Sequence, residues 1–345
     1  MNIQSLVREN IKLLHPYSSA RDEFKDASSD MIFIDANENP FDTGLNRYPD
    51  PQQNLVKDEL SKIKGIRKEQ ILLGNGSDEV LDLIFRVFCE PKEDTVIALP
   101  PTYGMYKVLA NTNDVQLINI PLLEDFQPNV EEILNTQNEQ TKILFLCSPN
   151  NPTANSFDAN ILEKIIKEFQ GVVVIDEAYI DFSQQESWLS RLNEFPNLIV
   201  TQTLSKAYGL AGIRLGICYA SQEIISILNK IKPPYNVNQL TQEAALSGLK
   251  KQDNVNQEMQ QIIKERDQLI NALQEVELVK KIYPSDANFL LVKVDNANKR
   301  YDQLLQKGIV VRNRSNQVLC ENCLRFTIGT DIENKRLIEV LKELN

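Results

Sequence analysis

Apolar positions change their rhythm along the chain. Between residues 70 and 220, short runs nearly continuous in apolar residues recur: TVIALP (95–100), VQLINI (115–120), KILFLCS (142–148), GVVVIDEAY (171–179) and NLIVTQT (197–203). Such runs predict strands buried on both faces of a parallel sheet. DEVLDLIFRVFCE (78–90) and DANILEKIIKEF (158–169) carry helical spacing instead. Together they predict an α/β fold with crossover helices. A long helical stretch is expected from about 238 to 275. Beyond it FLLVKV (289–294), a helix, IVVR (309–312), CLRFTIG (323–329) and a terminal helix predict a smaller α+β domain. Residues before about 36 are too few for a domain of their own.

Composition narrows the function. At 345 residues the chain fits two domains better than one core. A formal net charge of -11 disfavours a nucleic-acid backbone or an anionic membrane as partner. No long uncharged apolar run is present to span a bilayer, and the opening MNIQSLVREN lacks a secretory apolar core. Five cysteines do not read as a disulfide framework, so a reducing cytoplasm is the simplest home. The single histidine, His15, excludes a multi-histidine zinc site, and its place before a proline favours a surface or packing role over catalysis. Cys320 and Cys323 form one isolated C-x-x-C, weak ground for a metal.

In an open α/β sheet, ligands bind beyond the carboxyl ends of the strands, so the segments after each run carry the chemistry. In LLGNGSDEV, Gly74 and Gly76 precede Ser77 and Asp78 at a helix start. That suits a phosphate, or a tight turn with Ser77 as N-cap. PNNPTAN offers two asparagines able to bond a ligand. Asp176 and Glu177 end a strand on opposite faces; a buried carboxylate there needs a partner, either a salt bridge or a cationic ring nitrogen. Lys206 stands in TLSKAYGLAGIRLG with Arg214 eight positions on. A lysine can bond covalently to a carbonyl ligand. A carboxylate can keep a pyridine nitrogen protonated, and a glycine-led helix start, hydroxyls and an arginine can hold a phosphate. The ordered set meets the needs of pyridoxal 5'-phosphate.

HPYSSAR, DANENP, NRYPDPQ, LGNGSDE, PPTYGMY, SPNNPT, IDEAY, TLSKAYGLAGIRLG, SDANFLLVK and CLRFTIGT run in order over nearly the whole chain. With them the chain resembles the fold-type I pyridoxal-phosphate-dependent aminotransferases, most closely the histidinol-phosphate aminotransferases. The resemblance implies a large domain with a mostly parallel seven-stranded sheet (37–248), a small α+β domain (249–345), and an N-terminal segment (1–36) packing with the small domain. It implies that Lys206 carries the cofactor and moves the proton, that Asp176 partners the ring nitrogen, and that Tyr179 and Asn151 bond the ring oxygen. Tyr103 is then the aromatic stacked on the ring. The phosphate is held by the backbone at Ser77 and Asp78, by Thr203, Ser205 and Arg214, and by Tyr48 reaching a neighbouring subunit. That last role implies a homodimer with shared sites. Arg325 grips the acidic end of the substrate, with Arg312 and Tyr17 as further substrate contacts; Arg314 reads as a solvated charge.

The resemblance implies transamination between L-histidinol phosphate and 2-oxoglutarate in histidine biosynthesis. Rivals are an aromatic amino acid aminotransferase, a threonine-phosphate decarboxylase of the same fold, and a cofactor-binding regulatory module. The last is opposed by the charge and by the lack of room before residue 36. One departure stands out: Ala154 follows NPT where the family has glycine. If that backbone needs a positive φ, alanine costs roughly 1 kcal/mol or more, with Asn155 the alternative residue to take the turn.

Overall fold

The computed structural model describes residues 2–16 and 31–344. Seven strands form one sheet: β1 (Ile71–Asn75), β2 (Thr95–Ala98), β3 (Gln116–Asn119), β4 (Thr141–Cys147), β5 (Val172–Asp176), β6 (Leu198–Thr203) and β7 (Leu215–Ala220), in the order β1-β7-β6-β5-β4-β2-β3. Only β7 runs antiparallel to its neighbours. The five apolar runs are β2 to β6, buried as a parallel sheet requires. Edge strand β3 is the half-exposed exception.

Helices Ser77–Phe88, Ala159–Glu168 and Gln222–Ile231 bury one apolar stripe each. One apolar layer on the sheet is built from Leu72, Val80, Ile84, Val96, Phe145 and Val174. The other, with Leu73, Leu144, Val173 and Val200, continues into Phe289 and Leu291 of a second sheet. That sheet is antiparallel, with β8 (Val279–Ile282), β9 (Phe289–Val294), β10 (Arg312–Asn313) and β11 (Cys323–Thr327) in the order β10-β11-β9-β8. The helical stretch from 238 to 275 is two helices, Gln239–Leu249 and Gln252–Gln274, parted at Lys250 and Lys251.

The described part of the N-terminal segment does not pack with the smaller sheet, contrary to expectation. Ile3, Val7 and Ile11 are buried in the large-sheet layer beside Val80, Ile84 and Leu228. The Arg8 amide donates to Val87 O at 3.0 Å, and Arg8 Nε pairs with Glu90 at 3.0 Å. These three apolar side chains, one in a 3-10 turn, one extended and one in a short helix, cover apolar surface on helices Ser77–Phe88 and Gln222–Ile231. Among the described residues, no helix is long and apolar enough to cross a membrane.

Candidate active site

The carboxyl ends of β1, β4, β5 and β6 open on one cleft. It is lined by Ser77, Asp78, Tyr103, Asn151, Asp176, Tyr179, Thr203, Ser205, Lys206 and Arg214, with Cys147, Ala178 and Ala211. Residues spread over 138 positions of sequence meet here because each follows a strand of the same polarity.

One end of the cleft suits an anion. Helix Ser77–Phe88 starts on Gly76, with no side chain capping it, so its first amides point into the cleft. Ser77 is therefore the first helical residue rather than the N-cap. Gly76 has φ +79°, and a Cβ there would lie 2.7 Å from Arg214 Nη2. A Cβ on Gly216 would overlap the Ser77 amide nitrogen. Glycines at both positions let the strand ends close around the helix start. The Gly76 amide also donates to Arg214 O at 2.8 Å, which fixes the arginine beside those amides. Thr203 Oγ1 donates to Ser205 Oγ at 2.9 Å, and both hydroxyls face the same end.

The floor is Asp176, buried at the end of β5. Its Oδ2 accepts from the Tyr106 hydroxyl at 3.0 Å and its Oδ1 from the Ala178 amide at 3.2 Å. Burial pushes this carboxyl above its ordinary range, and the two donors oppose that shift. Glu177 points the other way. It accepts from the Trp188 amide at 2.7 Å and Gln202 Nε2 at 2.9 Å, a structural role behind the cleft. So the two carboxylates divide as strand alternation requires.

Lys206 is half-buried, and its Nζ lies 5.7 Å from the centre of the Tyr179 ring. Among the described residues nothing accepts a hydrogen bond from it. Burial, then the positive charges of Arg325 and Arg214, hold its amine below the ordinary lysine range. Tyr179 Oη accepts from Asn151 Nδ2 at 3.4 Å, and Tyr103 Oη donates to Asp78 Oδ1 at 3.1 Å. An unengaged, weakened ammonium, a buried carboxylate and an uncapped helix start in one cleft fit an aldehyde, a ring nitrogen and a phosphate on one ligand.

The smaller sheet brings Arg325 to this cleft. Its Nη1 donates to Asn151 Oδ1, and its guanidinium carbon lies 5.1 Å from the centre of the Phe289 ring. Arg312 stands opposite it on β10 and is exposed. Arg314 is not a solvated charge: it is half-buried, and its Nε is enclosed without a partner among the described residues. One predicted residue is not brought here within one chain. Tyr48 is 52% exposed in a separate surface hollow with Asn37, Glu38 and Leu240, stacked on Tyr235 at 4.5 Å. Tyr17 lies outside the described residues. Sequence reasoning missed Tyr106, three residues after Tyr103 in PPTYGMY; Tyr103 precedes helix Met105–Thr112 and Tyr106 lies in its first turn, the two rings meeting edge to face at 5.7 Å. Of the remaining sequence candidates, His15 is exposed, and Cys320 and Cys323 are buried free thiols. Ala154 itself takes the left-handed turn, with φ 68° and its methyl fully buried; Asn155 does not.

The family model "Aminotransferase class I and II" matches residues 23–341. A histidinol-phosphate aminotransferase of Flavobacterium johnsoniae is 64% identical over 345 residues, spanning 100% of this chain and 99% of that protein. The crystal structure of the histidinol-phosphate aminotransferase from Clostridium acetobutylicum has the same fold. It superposes with a TM-score of 0.80 at 24% identity, over 87% of this chain and 91% of that one. The Sinorhizobium meliloti histidinol-phosphate aminotransferase, in complex with pyridoxal-5'-phosphate, does so with a TM-score of 0.77 at 23% identity, over 87% and 84%. A cleft suited to that cofactor, a full-length family match and a relative alike from end to end agree: this chain belongs to the class I and II aminotransferases, and its cofactor is pyridoxal 5'-phosphate.

Proposed function

We propose that the chain transfers the amino group of L-histidinol phosphate to 2-oxoglutarate, giving imidazole acetol phosphate and glutamate. One observation carries the reading: Lys206 and Asp176 share a cleft with Arg325, which reaches it from the other sheet through Asn151. The substrate itself is supported by the Flavobacterium johnsoniae relative, whose name specifies it and whose sequence matches from end to end.

When bound, the cofactor supplies an electron sink for the pair left behind when the α-proton departs. The chain supplies everything else. The Ser77 and Asp78 amides, Thr203, Ser205 and Arg214 hold the cofactor phosphate. Asp176 stays ionised against a cationic ring nitrogen, which offsets the cost of its burial. Asn151 and Tyr179 bond the ring oxygen and Tyr103 covers the ring. Lys206 Nζ, held below the ordinary lysine range by burial and then by the charges of Arg325 and Arg214, takes the α-proton and redelivers it. Arg325, with Arg312 and Tyr17, receives the acidic end of each substrate; a planar guanidinium serves carboxylate and phosphate alike.

In this reading 37–248 form a large domain and 249–345 a small one, and the protein acts as a cytoplasmic homodimer. Exposed Tyr48, with exposed Leu45 and Leu240 lining the same hollow, supports a second subunit covering this face. The test is product analysis with L-histidinol phosphate and 2-oxoglutarate. Glutamate and the keto phosphate are expected. Carbon dioxide without any need for 2-oxoglutarate would make the chain a decarboxylase instead.

A further inference from the structure

Arg312, Arg314 and Arg325 form a group of like charges with no counter-charge among the described residues. β10 lies antiparallel to β11 with Arg312 opposite Arg325, and the Arg314 amide continues the ladder to Cys323 O at 2.9 Å. Side chains alternate along a strand, so Arg312 and Arg314 share the face that carries Arg325. Asn313, between them, turns the other way and donates to Asn298 Oδ1 at 2.7 Å. Arg314 Nε and Arg325 Nε are both buried without a hydrogen-bond partner among the described residues. Among the described residues no carboxylate lies within ion-pair distance of any of the three. Burial first, and then the neighbouring guanidinium charges, destabilise the charged forms of Arg314 and Arg325. Enclosing like charges without a partner is costly unless a ligand brings the negative charge.

We infer that Arg314 is a specificity-determining residue of this cleft, adding a third guanidinium that matches a dianionic phosphomonoester better than a single carboxylate. The inference rests on the substrate reading above and gives its selectivity a source. One bidentate arginine saturates a carboxylate. A phosphate monoester carries a second charge above its second pKa of about 6, and further acceptor oxygens for a second fork. Arg314, closer to the enclosed side than exposed Arg312, receives that extra charge.

The test uses holoenzyme of the wild type, Arg314→Gln and Arg314→Lys. The half-reaction is measured as kcat/KM with L-histidinol phosphate and with L-glutamate, between about pH 5 and 8, spanning the phosphate ionisation. Arg314→Gln is expected to lose about ten- to a hundredfold on histidinol phosphate, the worth of a charge-assisted contact, and less than about threefold on glutamate. Its rise in rate through about pH 6 should flatten. Arg314→Lys should recover part of the loss; if the glutamine variant does not fold, the lysine variant carries the test by a smaller loss confined to the phosphorylated donor. Equal losses on both donors, or none on histidinol phosphate, overturn the inference. If wild type ignores histidinol phosphate, the substrate reading fails, and inhibition of the glutamate half-reaction by inorganic phosphate decides Arg314. Inhibition weakened tenfold or so in the glutamine variant upholds the site; unchanged inhibition overturns it.

Discussion

The Tyr106 hydroxyl stands 3.0 Å from Asp176 Oδ2, and both side chains are buried. The Tyr106 ring is held by stacking on Phe145 at 4.7 Å, so the hydroxyl is aimed rather than free to swing. A donor at this point favours the ionised carboxylate against the burial that opposes it. Tyr106→Phe keeps the ring and removes only the donor. The expected result is a cofactor bound about ten- to a hundredfold more weakly, the value of a hydrogen bond to a charged group, with little change in melting temperature. Titration of the apoenzyme with pyridoxal 5'-phosphate measures it. Unchanged affinity would mean that Asp176 needs no help from Tyr106.

Lys206→Ala should lose turnover altogether yet still bind cofactor, because the helix start, Thr203, Ser205 and Arg214 are untouched. Retention of cofactor through dialysis, set beside steady-state rate, checks both halves. Normal turnover by the alanine variant would remove Lys206 from the chemistry.

Lys57 gives a stability prediction with a definite sign. It is 5% exposed, and burial, then the nearby charge of Lys232, lowers its amine to about 8 from 10.5. The folded chain therefore binds fewer protons than the unfolded chain between these values. Stability is reduced below about pH 8 and recovered as pH rises to 10.5. Lys57→Met should be the more stable protein at pH 7, and its advantage should shrink by on the order of 3 kcal/mol by pH 10.5. Denaturant unfolding at the two pH values measures the difference. An advantage independent of pH would place the amine in contact with solvent.

Ala154 holds φ 68° with its methyl fully buried. Ala154→Gly relieves about 1 kcal/mol of left-handed strain. It loses roughly 0.8 kcal/mol of buried methyl and adds about 0.4–1 kcal/mol of unfolded-state entropy. The terms nearly cancel, so unfolding free energy should move by less than about 1 kcal/mol, which explains how a chain without the glycine keeps the turn. Ala154→Val, branched at Cβ where space and φ both resist it, should lose more than about 2 kcal/mol. Chemical denaturation of both variants tests the balance.

Strands β2, β4, β5 and β6 were legible because burial on both faces leaves unbroken apolar runs, and the half-exposed edge strand β3 was legible from the apolar residues of VQLINI. β8 was not, since Lys280 and Lys281 interrupt it on an edge with exposed positions. β7 was obscured because it begins directly after Arg214, inside a stretch read for its chemistry. IVVR promised a strand, but only Arg312 and Asn313 find a partner, because the ladder is set by where β11 lies. The cleft was legible as an ordered set of segments, each at a strand end. What stayed hidden depends on tertiary register. The enclosure of Arg314 follows from its pairing beside Cys323, and the Tyr106 contact from helix Met105–Thr112 packing beside β3 and helix Ser77–Phe88 with its ring on Phe145. The N-terminal apolar residues carried no mark of which apolar surface they would cover.

The central claim is that Lys206 and Asp176 serve a cofactor that accepts an amine from L-histidinol phosphate. The most direct measurement is the absorption spectrum of the holoenzyme before and after adding that amine without any keto acid. The account predicts a visible band of lysine-bound cofactor that converts to the pyridoxamine form. A band that persists unchanged with histidinol phosphate, yet converts with phenylalanine, would contradict the substrate, and folded protein that gains no band from added pyridoxal 5'-phosphate would contradict the role of Lys206.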